Sequence, residues 1–178
     1  MNFRCIRLLH SYVLGDKDIE YQFLSNQGVN FPSSLKSAVN YENPNMNVSI
    51  PIFTIHGNHD DVINNTSALD VLSSTGLINY FGQWKDLEKI QVTPIILQKN
   101  NTKIALYGLN HIPDRRLNNL MSNKAFKIGI PDLIEDAFCM FVLHQNRADR
   151  GARNYIMENM LPAFLNLVIW GHEHDCRI

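Results

Sequence analysis

Three short apolar runs, at residues 48–55, 138–143 and 167–170, each break abruptly into a polar loop that carries histidine. The loops are His56-Gly57-Asn58-His59-Asp60-Asp61, His144-Gln145-Asn146 and Gly171-His172-Glu173-His174. Runs of this length and β-branched content predict buried strands. In open α/β sheets ligand sites form outside the carboxyl ends of strands, so three such loops are expected to converge. They would bring Asn58, His59, His144, His172 and His174 to one spot. In extended backbone the side chains of His172 and His174 point to one side and Glu173 to the other. With His144 and the carbonyl oxygen of Asn58, these imidazoles form a mixed nitrogen and oxygen donor set suited to Mn²⁺, Fe²⁺ or Zn²⁺, and no thiolate is needed.

Taken singly, each piece has a blander reading. Gly57-Asn58-His59-Asp60 is also turn chemistry, and a histidine after an apolar strand, such as His144, is often a satisfied core residue. The recurrence of all three in order, each on a strand end, outweighs those readings.

The chain has 178 residues and a formal net charge of −1. That length suffices for one domain with a real core, and that charge offers no broad positive field for nucleic acid or an anionic membrane. Any contact with a polyanion must be local. Cys5, Cys139 and Cys176 are odd in number, far apart and outside any C-x-x-C spacing, which argues against a disulfide framework or a structural zinc site. Arg4, Arg7 and His10 interrupt the apolar residues at the start, unlike a signal peptide. No run approaches the roughly 18 apolar residues of a membrane span. A soluble, unsecreted protein with reduced thiols and no membrane partner is expected.

Helical spacing of Phe3, Ile6, Leu9, Val13 and Leu14, closed by Gly15-Asp16, predicts a helix over 3–14. Residues 25–47, rich in Asn, Ser and Pro, read as a long loop. Helical spacing returns over 66–78 through Leu69 and Leu72, with Thr66 or Ser67 as N-cap and Gly76 as terminator. Both apolar stripes serve either core packing or a dimer interface. Residues 90–97 and 102–109 read as strands joined by hairpin chemistry at Gln98-Lys99-Asn100-Asn101. Residues 155–165 read as a helix despite Pro162. Strands and helices mixed in this way, without repeat or linker, predict one α/β (α+β layered) domain over 1–178.

The set Gly57-Asn58-His59-Asp60, Val142-Leu143-His144-Gln145-Asn146 and Leu167-Val168-Ile169-Trp170-Gly171-His172-Glu173-His174 resembles the calcineurin-like metallophosphoesterases. More narrowly, the chain resembles the eukaryotic nuclease subunit of the MRN double-strand-break repair complex, the meiotic recombination eleven homologues. That likeness extends through Val39-Asn40-Tyr41-Glu42, Ile50-Pro51-Ile52-Phe53 and residues 69–81 and 103–109. The resemblance implies a calcineurin-like metallophosphoesterase sandwich. It implies Asn58, His144 and His172 as ligands of one metal, His174 as a ligand of a second, and His59 as proton donor to the leaving oxygen. It further implies a nuclear, Mn²⁺-dependent single-strand endonuclease and 3′ to 5′ exonuclease serving homologous recombination and meiosis. Its implied partners are DNA, an SMC-type ATPase subunit, an FHA/BRCT-type subunit and a second copy of itself.

The family pattern also opens with an Asp-x-His strand and a Gly-Asp-x-x-His segment, which supply a carboxylate bridging both metals, and it continues into a capping region. The 178 residues contain none of these. Two divalent ions roughly 3.7 Å apart repel by on the order of 18 kcal/mol at an effective dielectric of about 20, and neutral His and Asn ligands offset none of that charge. At most one Mn²⁺ is expected here, in a partial nuclease domain that is inactive alone. Two alternatives stay open: a non-catalytic truncated subunit that docks partners or dimerises, and another phosphatase or phosphodiesterase of the superfamily. Arg147, Arg150 and Arg153 follow His144 closely. They are expected to hold DNA phosphates without reading sequence, with a solvated loop as the alternative.

Overall fold

A computed structural model of the chain describes residues 3–32, 37–60, 66–86 and 88–176. Its elements run α1 (Phe3–Val13), β1 (Gln22–Phe23), α2 (Gln27–Asn30), β2 (Phe53–Thr54), α3 (Ala68–Ser74), β3 (Asn79–Tyr80), β4 (Ile90–Val92), β5 (Ile95–Lys99), β6 (Thr102–Leu109), α4 (Asp114–Ser122), β7 (Phe126–Ile128), β8 (Ala137–His144) and β9 (Leu167–Gly171). Five strands form the main sheet in the order β1-β5-β6-β8-β9. β6, β8 and β9 run parallel, while β1 and β5 join antiparallel. β5 and β6 meet at Lys99↔Thr102, which leaves Asn100-Asn101 as a two-residue turn. Asn100 takes φ +51° there, a conformation asparagine tolerates in tight hairpins.

Alternation along the central strands sorts side chains to two faces. Ala105, Tyr107 and Leu109 of β6 and Cys139, Phe141 and Leu143 of β8 share one core with Ile90, Val92, Ile112, Leu117 and Ile156. On the opposite face Leu106 joins Ile95 and Leu97 of β5 against Phe31, Val39, Phe53 and Phe81. Gly108 belongs to this face, where an added Cβ would lie 2.4 Å from Phe81 Cε2, so only glycine lets the ring lie on the strand. The sheet therefore has α4 and the parallel β4–β7 ribbon over one face and the parallel β2–β3 ribbon over the other. This is the layered α/β arrangement expected. Phe141 is fully buried, and Phe141→Ala is expected to cost about 3–5 kcal/mol. Urea unfolding checks this, and a loss under about 1 kcal/mol would contradict the packing.

Several expected elements differ. Regular strand pairing over 48–55 is confined to β2, because Pro51 carries no N–H for a ladder. Val48 instead forms an antiparallel bridge to Leu14. Residues 90–97 split at Thr93-Pro94 into β4 and β5. Residues 155–165 are not an α-helix. Ile156 N–H is drawn to Asn146 O, only Glu158–Met160 forms a 3₁₀ turn, and Leu161, preceding Pro162, is extended at φ −91°, ψ 146°. The loop at 25–47 contains α2 and a 3₁₀ turn at Asn40–Glu42. The helix at 66–78 contracts to α3, capped by Ser67, whose hydroxyl accepts from Asp70 N–H while the Asp70 carboxylate accepts from Ser67 N–H.

Leu72 of α3 is buried with Ile78 and Tyr80 against Ile6 and Leu9 of α1. The two apolar stripes thus face each other in the core, and Leu72 does not belong to an outward interface. Phe3, Leu8 and Tyr12 of α1 and Val71 of α3 are the exposed apolar residues of these helices. Cys5, Cys139 and Cys176 are free. Among the described residues no helix is long and apolar enough to cross a membrane.

Candidate metal and phosphoester site

The parallel strands end at one level. Leu109 pairs with Leu143, Leu143 with Trp170 and His144 with Gly171, so the loops after β6, β8 and β9 leave the sheet side by side. The loop after β2 is tied to them through Asn110, which is buried. His56 N–H donates to Asn110 Oδ1 at 3.0 Å, Asn110 Nδ2 donates to the Tyr80 hydroxyl at 2.9 Å, and His111 N–H donates to His56 O at 3.0 Å. Two polar staples lock the β8 loop. Fully buried Gln145 exchanges bonds with the Ile112 backbone and donates to Asp114 Oδ1, while Asn146 Nδ2 donates to Asp114 Oδ2 at 2.7 Å. Glu173 accepts from the N–H groups of Arg147 and Ala148 and from Arg150 Nη2, and the extended alternation expected over 172–174 does not hold, because β9 ends at Gly171 and His172 takes φ +89°.

Inside this frame His144 Nε2 donates to Asn58 Oδ1 at 2.9 Å and His172 Nδ1 to the same oxygen at 3.2 Å, and the two rings lie 5.1 Å apart. Gly57 and Gly171 form a cradle around His144. An added Cβ at Gly57 would stand 2.7 Å from His144 Cε1, and one at Gly171 would stand 2.9 Å from Nδ1. His172 has φ +89°, a left-handed conformation costing a non-glycine residue about 1–3 kcal/mol. The surrounding sheet sustains that strain and so fixes the direction of the ring.

Neighbouring cis ligands about 2.1 Å from one ion stand about 3.0 Å apart. The two nitrogen-to-Asn58 distances match that spacing, so one divalent ion fits Asn58 Oδ1, His144 Nε2 and His172 Nδ1. Among the described residues no three His, Cys, Asp or Glu side chains form a metal-holding group; the donor set is two imidazoles and one amide. Burial first, then His172 and His111, push His144 from 6.5 down to about 4, so the ring is neutral and ready for ligation at pH 7. The unfolded chain gains this proton near 6.5 while the folded chain resists to about 4. The unfolded state therefore binds more protons in that window, and stability is lost as pH falls through it. The melting temperature of metal-free protein is expected to drop over this range, and His144→Asn to flatten the drop. An unmodified chain with a flat profile would refute the buried neutral ring.

Asn58, His144 and His172 are thus brought together. His59, beside Asn58, and His174, beyond β9, are exposed and not bonded into the cluster. Arg147 pairs with Glu158 at 2.6 Å, Arg150 with Glu173 at 3.0 Å, and Arg153 donates to Asn119 at 3.2 Å. Sequence reasoning missed His111, whose ring lies 6.0 Å from those of both His144 and His172. The signal was present: the apolar run at 102–109 also breaks into a histidine, Asn110-His111. It also missed His56, whose buried Nδ1 has no partner among the described residues.

Residues 10–176 match the family described as calcineurin-like phosphoesterase. Curated relatives include double-strand break repair protein MRE11 of Gallus gallus, 49% identical over 98% of this chain and 25% of the relative. The protein of that name from Homo sapiens is 48% identical over the same shares, and that from Arabidopsis thaliana is 41% identical over 98% of this chain and 26% of its own length. The chain spans about a quarter of the length of these relatives.

Proposed function

Because the chain belongs to the calcineurin-like phosphoesterase family, we propose that it forms part of a metal-dependent nuclease that hydrolyses DNA phosphodiester bonds in double-strand-break repair. The observation that carries this reading is the convergence of two imidazole nitrogens on Asn58 Oδ1 at strand ends of one sheet. The relatives' name as repair proteins supports the DNA substrate. Asn58, His144 and His172 would hold one ion and His174 contribute to a second, Mn²⁺ in each case. When bound, such ions polarise the phosphoryl group and acidify water enough for attack near neutral pH.

The remaining work falls to this chain's own groups. His59, exposed beside Asn58, donates a proton to the leaving 3′ or 5′ oxygen, which otherwise departs as an unstable alkoxide. Arg147, Arg150 and Arg153 hold flanking DNA phosphates. The exposed Arg147–Glu158 pair is worth only about 0–1 kcal/mol and exchanges readily for a phosphate, and Arg150 can leave Glu173, which keeps its bonds from the Arg147 and Ala148 N–H groups. We assign single-strand endonuclease and 3′ to 5′ exonuclease activity, in the nucleus, to the complete protein carrying the family's Asp-x-His and Gly-Asp-x-x-His segments in frame. Within it residues 1–178 are a partial nuclease domain, and SMC-type ATPase and FHA/BRCT-type subunits are its partners.

The 178-residue polypeptide by itself is expected to leave single-stranded circles and recessed ends intact in Mn²⁺, because its ion donors are all neutral. Manganese-dependent cutting abolished by His172→Ala and by His59→Ala would overturn that. The complete protein should cut both substrates. Dimerisation is assigned to the exposed apolar residues of α1, where Leu8 and Tyr12 lie one turn apart. Leu8→Asp with Tyr12→Asp should convert a dimeric complete protein to monomers in sedimentation. An unchanged dimer would place the interface elsewhere.

A further inference from the structure

Resting on the nuclease reading above, we propose that His111 binds a non-bridging phosphoryl oxygen of the DNA strand in the site. The end of β6 delivers this imidazole and its backbone is pinned: His111 N–H donates to His56 O, and Asn110 beside it is tied to His56 N–H and the Tyr80 hydroxyl. Its ring stands 6.0 Å from His144 and 6.0 Å from His172, completing a triangle whose third side is 5.1 Å.

Those lengths separate the roles. A ligating imidazole has its ring centre about 3.2 Å from the ion, so two ligand rings stand roughly 4.5–5.2 Å apart at octahedral to tetrahedral angles. His144 and His172 meet that condition. His111 is too far from both to share their ion, yet it borders the same space. It is half-buried, and neither ring nitrogen bonds to another described residue. A pinned imidazole with an unused N–H, one step outside the ion position, is placed to donate to an anion held there. The charge-assisted bond it would make is short and directional. His111 is therefore a phosphate-binding side chain, distinct in role from the ligands His144 and His172 and from the proton donor His59.

The test uses the complete protein with His111 unchanged, His111→Ala and His111→Gln, glutamine retaining a donor. Calorimetry measures Mn²⁺ binding, then inorganic phosphate binding to the Mn²⁺-loaded protein. Cleavage is then compared on oligonucleotides with Rp or Sp phosphorothioate at the scissile position. Mn²⁺ affinity should stay within about twofold, while phosphate affinity should fall roughly 10- to 100-fold in the alanine variant and recover partly with glutamine. The alanine variant should also lose the unmodified protein's discrimination against one thio diastereomer, which a merely structural role leaves in place. Unchanged phosphate affinity overturns the proposal. So does loss of Mn²⁺ equal to that of His172→Ala, which would make His111 a ligand, or equal phosphate loss with alanine and glutamine. An unmodified protein that neither takes up Mn²⁺ nor cuts DNA defeats the nuclease reading itself. One that does both, with His111→Ala indistinguishable from it, defeats only the role given to His111.

Discussion

Replacing His172 with alanine in the complete protein is expected to abolish metal uptake at this site and DNA cutting together, whereas His59→Ala should abolish cutting and leave metal content within about twofold. The two histidines sit in different settings. His172 is held at φ +89° with Nδ1 on Asn58 Oδ1, so its removal takes away one of three converging donors. His59 is exposed and makes no bond within the cluster. A positioned acid acts on the transition state, contributing about 10²–10⁴-fold in rate with no share in ligation. Metal analysis beside single-turnover cleavage separates the cases. Metal loss in His59→Ala as large as in His172→Ala would refute the division of roles, and a His172→Ala protein that retains its metal would refute the donor set.

A single methyl group at Gly57 is the second large effect. An added Cβ there would meet His144 Cε1 at 2.7 Å and Nε2 at 2.9 Å. That imidazole has little room to retreat: Gly171 closes on Nδ1, and Nε2 is engaged by Asn58. Gly57→Ala should therefore displace the ring and weaken metal affinity about 10- to 100-fold, the scale on which loss of support around a ligand is felt. Gly28→Ala is the matched control, since a Cβ there meets only Asn26 Oδ1 at 3.4 Å. It should leave metal affinity unchanged. If calorimetry finds Gly57→Ala and Gly28→Ala alike, the cradle has no part in fixing His144.

These expectations draw unequally on sequence and on structure. β8 and β9 stood out in the sequence because each is an apolar run ending at a polar loop, and the pairing of Leu143 with Trp170 places their ends together. Three of the five histidine and asparagine side chains singled out there, Asn58, His144 and His172, do meet. Other features depend on partners distant in the chain, which local spacing cannot reveal. The helical pattern at 155–165 yields to the bond from Ile156 N–H to Asn146 O and to Pro162. The three arginines after His144 look free in sequence, but Glu158, Glu173 and Asn119 reach them across loops. α4 passed unnoticed because few apolar residues mark its 9-residue span, and its buried face rests on Leu117 and Asn118. His111 obeys the same rule as the others, an apolar run opening into a histidine-bearing loop, at the end of β6.

The most direct measurement is anomalous diffraction at the manganese edge from crystals of the complete protein soaked in Mn²⁺. An anomalous peak is expected about 2.1–2.3 Å from each of Asn58 Oδ1, His144 Nε2 and His172 Nδ1, with His111 outside bonding distance of it. Manganese peaks elsewhere, with these three atoms contacting none of them, would contradict this donor set.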